Sequence, residues 1–184
     1  MVEIMYYVHG TTIDNESKLA TGWSQIPLSL KGIEQTQRAA LQVDSSIYDV
    51  IYSSDLIRAI QSAEILFANR KKEIKIDHRL RECDYGYFTQ KPSTQLVYKE
   101  HIDAPFSGGE SLKDVENRMR DFLRELESKK YKKIAIVSHR VPQLALDVII
   151  SKITWERAIE KDWRLCGKWR AGWSYVYSNE GTAF

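Results

Sequence analysis

The sequence predicts an α/β fold, a three-layer sandwich whose largely parallel central sheet carries helices on both faces. Three observations carry that prediction. Short apolar runs rich in β-branched or aromatic residues, IMYYV at 4–8, DVIY at 49–52 and IAIV at 134–137, read as buried strands. The segments between them repeat their apolar residues at helical spacing. No internal repeat, low-complexity tract or Pro/Gly/Ser-rich linker interrupts the 184 residues, which therefore read as one domain spanning 1–184.

In chain order, the 4–8 strand comes first. Ser29 is placed to cap a helix running to about residue 43. The DVIY strand follows, and Asp55 can cap a second helix to about residue 67. Residues 79–86, RLRECDYG, form a dense polar stretch in which Glu82 and Asp84 share a face if the backbone is extended. The best-marked helix starts at Ser111, whose spacing to Asp114 is that of a capping box. Behind it Leu112, Val115, Met119, Phe122, Leu123 and Leu126 form an apolar stripe, with Lys113, Glu116, Arg120 and Glu127 left for solvent. The IAIV strand leads into a buried helix over about 141–150. The aromatic tail, 163–177, ends in an edge strand at 174–177, and Trp155, Trp163, Trp169 and Trp173 are expected to pack in the core.

Composition narrows the function. Lys and Arg total 27 against 25 Asp and Glu, and a net charge of +2 makes neither nucleic acid nor an anionic membrane the main partner. Nine glycines, 4 prolines and 43% hydrophobic residues exclude disordered and collagen-like chains. Cys83 and Cys166 stand far apart, which excludes a disulfide framework or Cys-rich zinc site and suits a reducing cytosol. Residues 1–7 carry Glu3 and no basic stretch, and no apolar run approaches the roughly 20 residues that span a bilayer. The expectation is a soluble, cytoplasmic protein.

In open α/β sheets, ligands bind beyond the carboxyl ends of the strands. His9 and Gly10 follow the first strand, Ser138 and His139 follow the IAIV strand, and Ser53, Ser54, Asp55 and then Arg58 follow DVIY. Two imidazoles, a guanidinium and a carboxylate suit phosphoryl transfer. A neutral imidazole is a capable nucleophile towards phosphorus. A fixed Arg and a protonated His can meet the phosphoryl oxygens, and a carboxylic acid can protonate the leaving alkoxide.

Taken in order, HGTT at 9–12 with Asn15, TGW at 21–23, PLS at 27–29, SSDL at 53–56 with Arg58-Ala59, LRE at 80–82, GGES at 108–111 and VSH at 137–139 resemble the histidine phosphatase superfamily, the phosphoglycerate mutase-like fold. The likeness runs from about residue 3 to about residue 150 and weakens through the tail. It implies that His9 becomes phosphorylated, that Arg58 clamps the phosphate, that His139 donates to the phosphoryl oxygens and that Glu82 is the proton donor, with Asp84 in reserve. It implies that Asn15, Thr21 and Gly22 lie around the substrate, a small phosphorylated molecule, with no metal and no cofactor. Mutases of the family carry lid insertions for which 184 residues leave little room, so hydrolysis is expected.

Three departures stand out. The family carries Arg immediately before the nucleophile, whereas this chain reads Tyr6-Tyr7-Val8-His9. The alignment is best if that Arg has been lost and Val8 ends the strand, which removes a clamp worth about 1.5–3 kcal/mol and threatens the facing of His9. Arg140 either restores some charge or is a surface residue at a helix start. Gln90 stands where phosphatases often have Gly and is expected to reshape the loop near the acid. The chain is read as a metal-independent phosphatase of weak but nonzero activity. The alternatives are a silent member that binds phosphorylated ligands or a protein partner, and a metal hydrolase using His9, His139 and a carboxylate.

Overall fold

The computed structural model describes residues 1–166 and 172–178. Its strands are β1 (Val2–Val8), β2 (Val50–Ser53), β3 (Ile74–Ile76), β4 (Lys133–Ser138) and β5 (Gly172–Tyr177), in the order β3-β2-β4-β1-β5. β1, β2, β3 and β4 run parallel, and β5 pairs antiparallel with β1 at the edge. The helices are α1 (Ile13–Glu16), α2 (Leu30–Ala40), α3 (Ile57–Leu66), α4 (Leu112–Glu127), α5 (Arg140–Ser151) and α6 (Trp155–Glu160).

The alternation of side chains along the strands splits the interior into two cores. Ile4, Tyr6, Tyr52, Ile134 and Ile136 face α4, α5 and α6, where Met119, Phe122, Leu144 and Trp155 cover them. Tyr7, Ile51, Ala135 and Val137 face α2 and α3 and pack on Ala39, Ala63, Leu66 and Phe67. These are the three layers the sequence predicts.

Local chemistry sets the helix starts. The Ser29 side chain accepts from the Gly32 amide to open α2, which stops at Ala40 rather than near residue 43. Ser111 and Asp114 form the expected capping box of α4, whose six predicted apolar positions are all buried. Asp55 does not cap α3, which has no side-chain cap. Its carboxylate instead takes a forked ion pair from Arg81, at 2.8 and 2.5 Å, a stronger partner than a lone amide. Trp155 packs in the core as expected, whereas Trp163 and Trp173 are partly exposed and stack at 5.3 Å. Trp169 lies outside the described residues. No helix among the described residues is long and apolar enough to cross a membrane.

Candidate active site

β1 and β4 are neighbours that end side by side, and a histidine follows each. Val8 pairs with Ser138, and the His9 amide donates to the Ser138 carbonyl at 3.1 Å. The imidazole centroids of His9 and His139 are 5.1 Å apart. Immediately after His9 the chain passes under α2. A Cβ on Gly10 would lie 2.5 Å from the Gly32 carbonyl oxygen, so a side chain at this position would collide with α2. His9 Nδ1 sits 2.7 Å from the Gly10 carbonyl oxygen. A carbonyl only accepts, so Nδ1 carries the proton and Nε2 keeps its lone pair.

His139 is fully buried, and its backbone is clamped by Tyr6, whose hydroxyl donates to the His139 carbonyl at 2.8 Å and accepts from its amide at 3.1 Å. Both of its ring nitrogens lack a partner among the described residues. Burial, reinforced by the Arg58 charge, pulls the His9 pKa down to about 3 and holds His139 well below its usual value. Both rings are neutral at pH 7 in this structure. A buried cation at His139 beside Arg58 is disfavoured until an anion arrives.

Arg58, in the first turn of α3, is 1% exposed. Its Nη1 donates to the Ser24 carbonyl at 2.9 Å and its Nη2 to the Gly22 carbonyl at 2.7 Å, while Nε has no partner among the described residues. Burial lowers its pKa to about 10, with the Glu82 charge opposing, so the guanidinium stays charged. A buried guanidinium bonded only to neutral carbonyls is a natural place for an anion.

Glu82 is 7% exposed and lies against the start of α5. Its Oε1 accepts from the Cys83 and Val141 amides and its Oε2 from the Arg140 amide. The acid loop is fixed from behind by Arg118, which forks onto Glu110 and donates to the Glu82 carbonyl at 2.9 Å. Asp84 does not share the face of Glu82. The stretch is a turn rather than an extended strand: Asp84 Oδ1 accepts from the Gly86 amide, its own amide donates to Glu110, and it does not line the pocket.

Every predicted site residue except His139 lines one pocket of about 350 Å³: His9, Arg58 and Glu82, with Asn15, Thr21, Gly22 and Arg140 around them. His139 is fully buried, with its ring centroid 5.1 Å from that of His9. Asn15 caps α1 reciprocally with Thr12, the Thr21 hydroxyl has no partner among the described residues, and Gly22 adopts φ of 51° while offering its carbonyl to Arg58. Arg140 is no free surface residue, since its Nε donates to the buried Asp162 at 2.6 Å. Gln90 takes φ of 63°, the left-handed conformation that favours glycine, and donates to buried Asp14 at 2.5 Å.

Val8 also lines the pocket. β1 runs in register with β4 up to Val8, so the misfacing of His9 threatened by a lost residue does not occur. Val8 ends β1, as expected, and stands beside His9. Sequence reasoning missed Lys18, Tyr98, Trp163 and Arg164 on the pocket wall. Only the charge of Arg164 within the aromatic tail could have drawn attention to it. No group of three or more His, Cys, Asp or Glu among the described residues is placed to hold a metal ion.

A profile of the histidine phosphatase superfamily (branch 1) matches residues 7–179. A probable phosphoglycerate mutase of Proteus mirabilis is 32% identical over 83% of this chain and 75% of its own length. Phosphoserine phosphatase 1 of Hydrogenobacter thermophilus is 30% identical over 79% of this chain and 74% of its own. Among solved structures, a mycobacterial glucosyl-3-phosphoglycerate phosphatase in complex with VO3 superposes with a TM-score of 0.77 at 26% identity, covering 86% of each chain. A phosphoserine phosphatase of Entamoeba histolytica, at 20% identity, shares the fold with a TM-score of 0.80 over 97% of this chain and 92% of its own.

Proposed function

Because the chain belongs to the histidine phosphatase superfamily, we propose that it hydrolyses phosphomonoesters through a phosphohistidine formed on His9. The observation that carries this reading is the state of His9: neutral, with Nδ1 anchored on the Gly10 carbonyl and Nε2 free, in a pocket shared with the buried cation Arg58.

In the first step His9 Nε2 bonds to phosphorus and the ester P–O bond breaks, with Glu82 giving a proton to the departing alkoxide. Water then attacks the phosphohistidine, loses its proton to Glu82, and the P–N bond breaks to release phosphate. The moving group carries charge on three equatorial oxygens. Arg58 Nε faces them, and the arriving dianion favours the imidazolium form of His139, which then donates as well.

The substrate is a small phosphomonoester that bears a second anionic group. The relatives are named for phosphoglycerate, phosphoserine and glucosyl-3-phosphoglycerate, each a phosphate ester with a carboxylate, and Lys18 and Arg140 on the pocket wall suit that second charge. A second reading, a member that binds such ligands without turning them over, draws on Val8.

His9→Ala separates the two. It should abolish hydrolysis of p-nitrophenyl phosphate and the acid-labile phosphoenzyme trapped by rapid quench, and excess chelator should leave the wild-type rate unchanged. Wild type without turnover but with phosphate binding would establish the second reading, and an active His9→Ala protein would refute the first.

A further inference from the structure

The pocket holds a cation that neither the family motifs nor the proposed steps use. Arg164 lies beyond α6, in the aromatic tail, and lines the same pocket as Val8 and His9. Its placement is built rather than incidental. Nη1 donates to Asp162 Oδ1 at 2.9 Å and to Gln143 Oε1 at 3.2 Å. The Arg164 amide also donates to Asp162 Oδ1, at 3.0 Å. The guanidinium lies 4.6 Å over the Trp163 ring. Gln143 is itself braced, since its Nε2 donates to Asp147 and to the Tyr175 hydroxyl of β5. The side chain is thus fixed by its own segment and by α5, with β5 bracing Gln143.

What remains unused is Nη2. That nitrogen is buried and has no partner among the described residues. The Asp162 side chain is 0% exposed, and its two oxygens are divided between Arg164 and Arg140. A desolvated N–H donor without a partner is costly until an acceptor arrives.

We propose that Arg164 is the second arginine of the phosphoryl site, with its Nη2 donating to an oxygen of the transferred group and so supplying the positive charge that Val8 cannot. Asp162 is its positioning residue. The assignment rests on the reading of His9 as the phosphoryl acceptor. Of the two candidates for this role, Arg164 is the one whose charge reaches His9, where it adds to that of Arg58 in favouring the neutral ring. Arg140 instead lies 4.6 Å over the Tyr98 ring and acts on Tyr98 and Tyr85. When the P–O bond breaks and the P–N bond forms, Arg58, His139 and Arg164 each meet one equatorial oxygen, and no proton moves through Arg164.

The test is a cycle of variants assayed with p-nitrophenyl phosphate and with inorganic phosphate as inhibitor. Arg164→Gln should lower kcat/KM about ten- to hundredfold and weaken inhibition by phosphate at least fivefold. Val8→Arg should raise kcat/KM at least tenfold more in the Arg164→Gln protein than in wild type, because it restores a charge that only the former lacks. Equal effects of Val8→Arg in the two backgrounds, or a larger loss from Arg140→Gln than from Arg164→Gln, overturn the assignment. Thermal melting checks that each variant folds. Should Arg164→Gln fail to fold, Arg164→Lys serves, because lysine keeps the ion pair with Asp162 but has no second nitrogen to offer. A loss of at least fivefold is expected from it, and none overturns the assignment. Full hydrolysis by His9→Ala would instead mean that the phosphohistidine reading has failed. An inactive His9→Ala beside a wild-type-like Arg164→Gln would defeat the Arg164 assignment alone.

Discussion

Tyr6→Phe removes one oxygen from the floor of the site and leaves every carbon in place. The hydroxyl is wholly buried, donates to the His139 carbonyl and accepts from the His139 amide. Loss of the oxygen strands that amide in a dry interior, at about 1–3 kcal/mol, and removes a second hydrogen bond worth about 1 kcal/mol net. The expected cost is about 2–4 kcal/mol, or a fall in Tm of roughly 4–16 °C for a chain of this size. Urea unfolding followed by circular dichroism measures it, with the m-value unchanged because no additional surface is exposed. Activity should fall as well, since the same two bonds hold His139 beside His9. A destabilisation below about 0.5 kcal/mol would refute the claim that Tyr6 holds this strand end.

Two further outcomes follow from the site. His9 and His139 stay neutral in the folded chain but protonate near pH 6.5 once unfolded. The unfolded state therefore binds more protons below that pH, and stability, full above it, falls as pH drops through the range between the unfolded and folded values, by up to about 1.4 kcal/mol per pH unit for each histidine, with the His9 contribution ending at about 3. Urea titrations at pH 8 and pH 5 should show the difference, and His139→Gln should shrink it; a flat wild-type profile would contradict the neutral pair. Glu82→Gln should slow p-nitrophenyl phosphate hydrolysis less than that of an alkyl phosphate, because only the alkoxide needs its proton. Asp84→Asn, whose carboxyl is spent on the Gly86 amide, should disturb stability more than the ratio of those two rates. The reverse pattern would name Asp84 as the acid.

What could be read from the sequence was whatever depended on neighbours in the chain. Ser29 and Ser111 cap their helices because the amides they bind lie three residues ahead. His9 and His139 were found because both follow apolar strands, and strand ends are where such sheets bind ligands. The failures have other causes, most often partners distant in sequence. Asp55 reads as a cap until Arg81 is folded against it. β3 is three residues long, lies at the sheet edge and contains Lys75, so its apolar signal is too short to register. Asp84 was placed beside Glu82 on the premise of an extended backbone, which the contacts with Glu110 and Gly86 replace with a turn. Arg164 sits in a tail read only for its aromatic packing, and its role needs Asp162, Gln143 and the pocket wall together.

The antiparallel pairing of β5 with β1 joins Val2 to Tyr177 and Tyr7 to Gly172, across nearly the whole sequence. The strand that leads into His9 and its edge partner are separated by the rest of the fold along the chain. Contacts of such separation form late, because the intervening loop must first be closed. Tyr175 of β5 in turn holds Gln143, which holds Arg164. A chain in which β5 has not paired would carry His9, Arg58 and Glu82 but lack the brace behind Arg164, so docking of the edge strand completes the anion pocket.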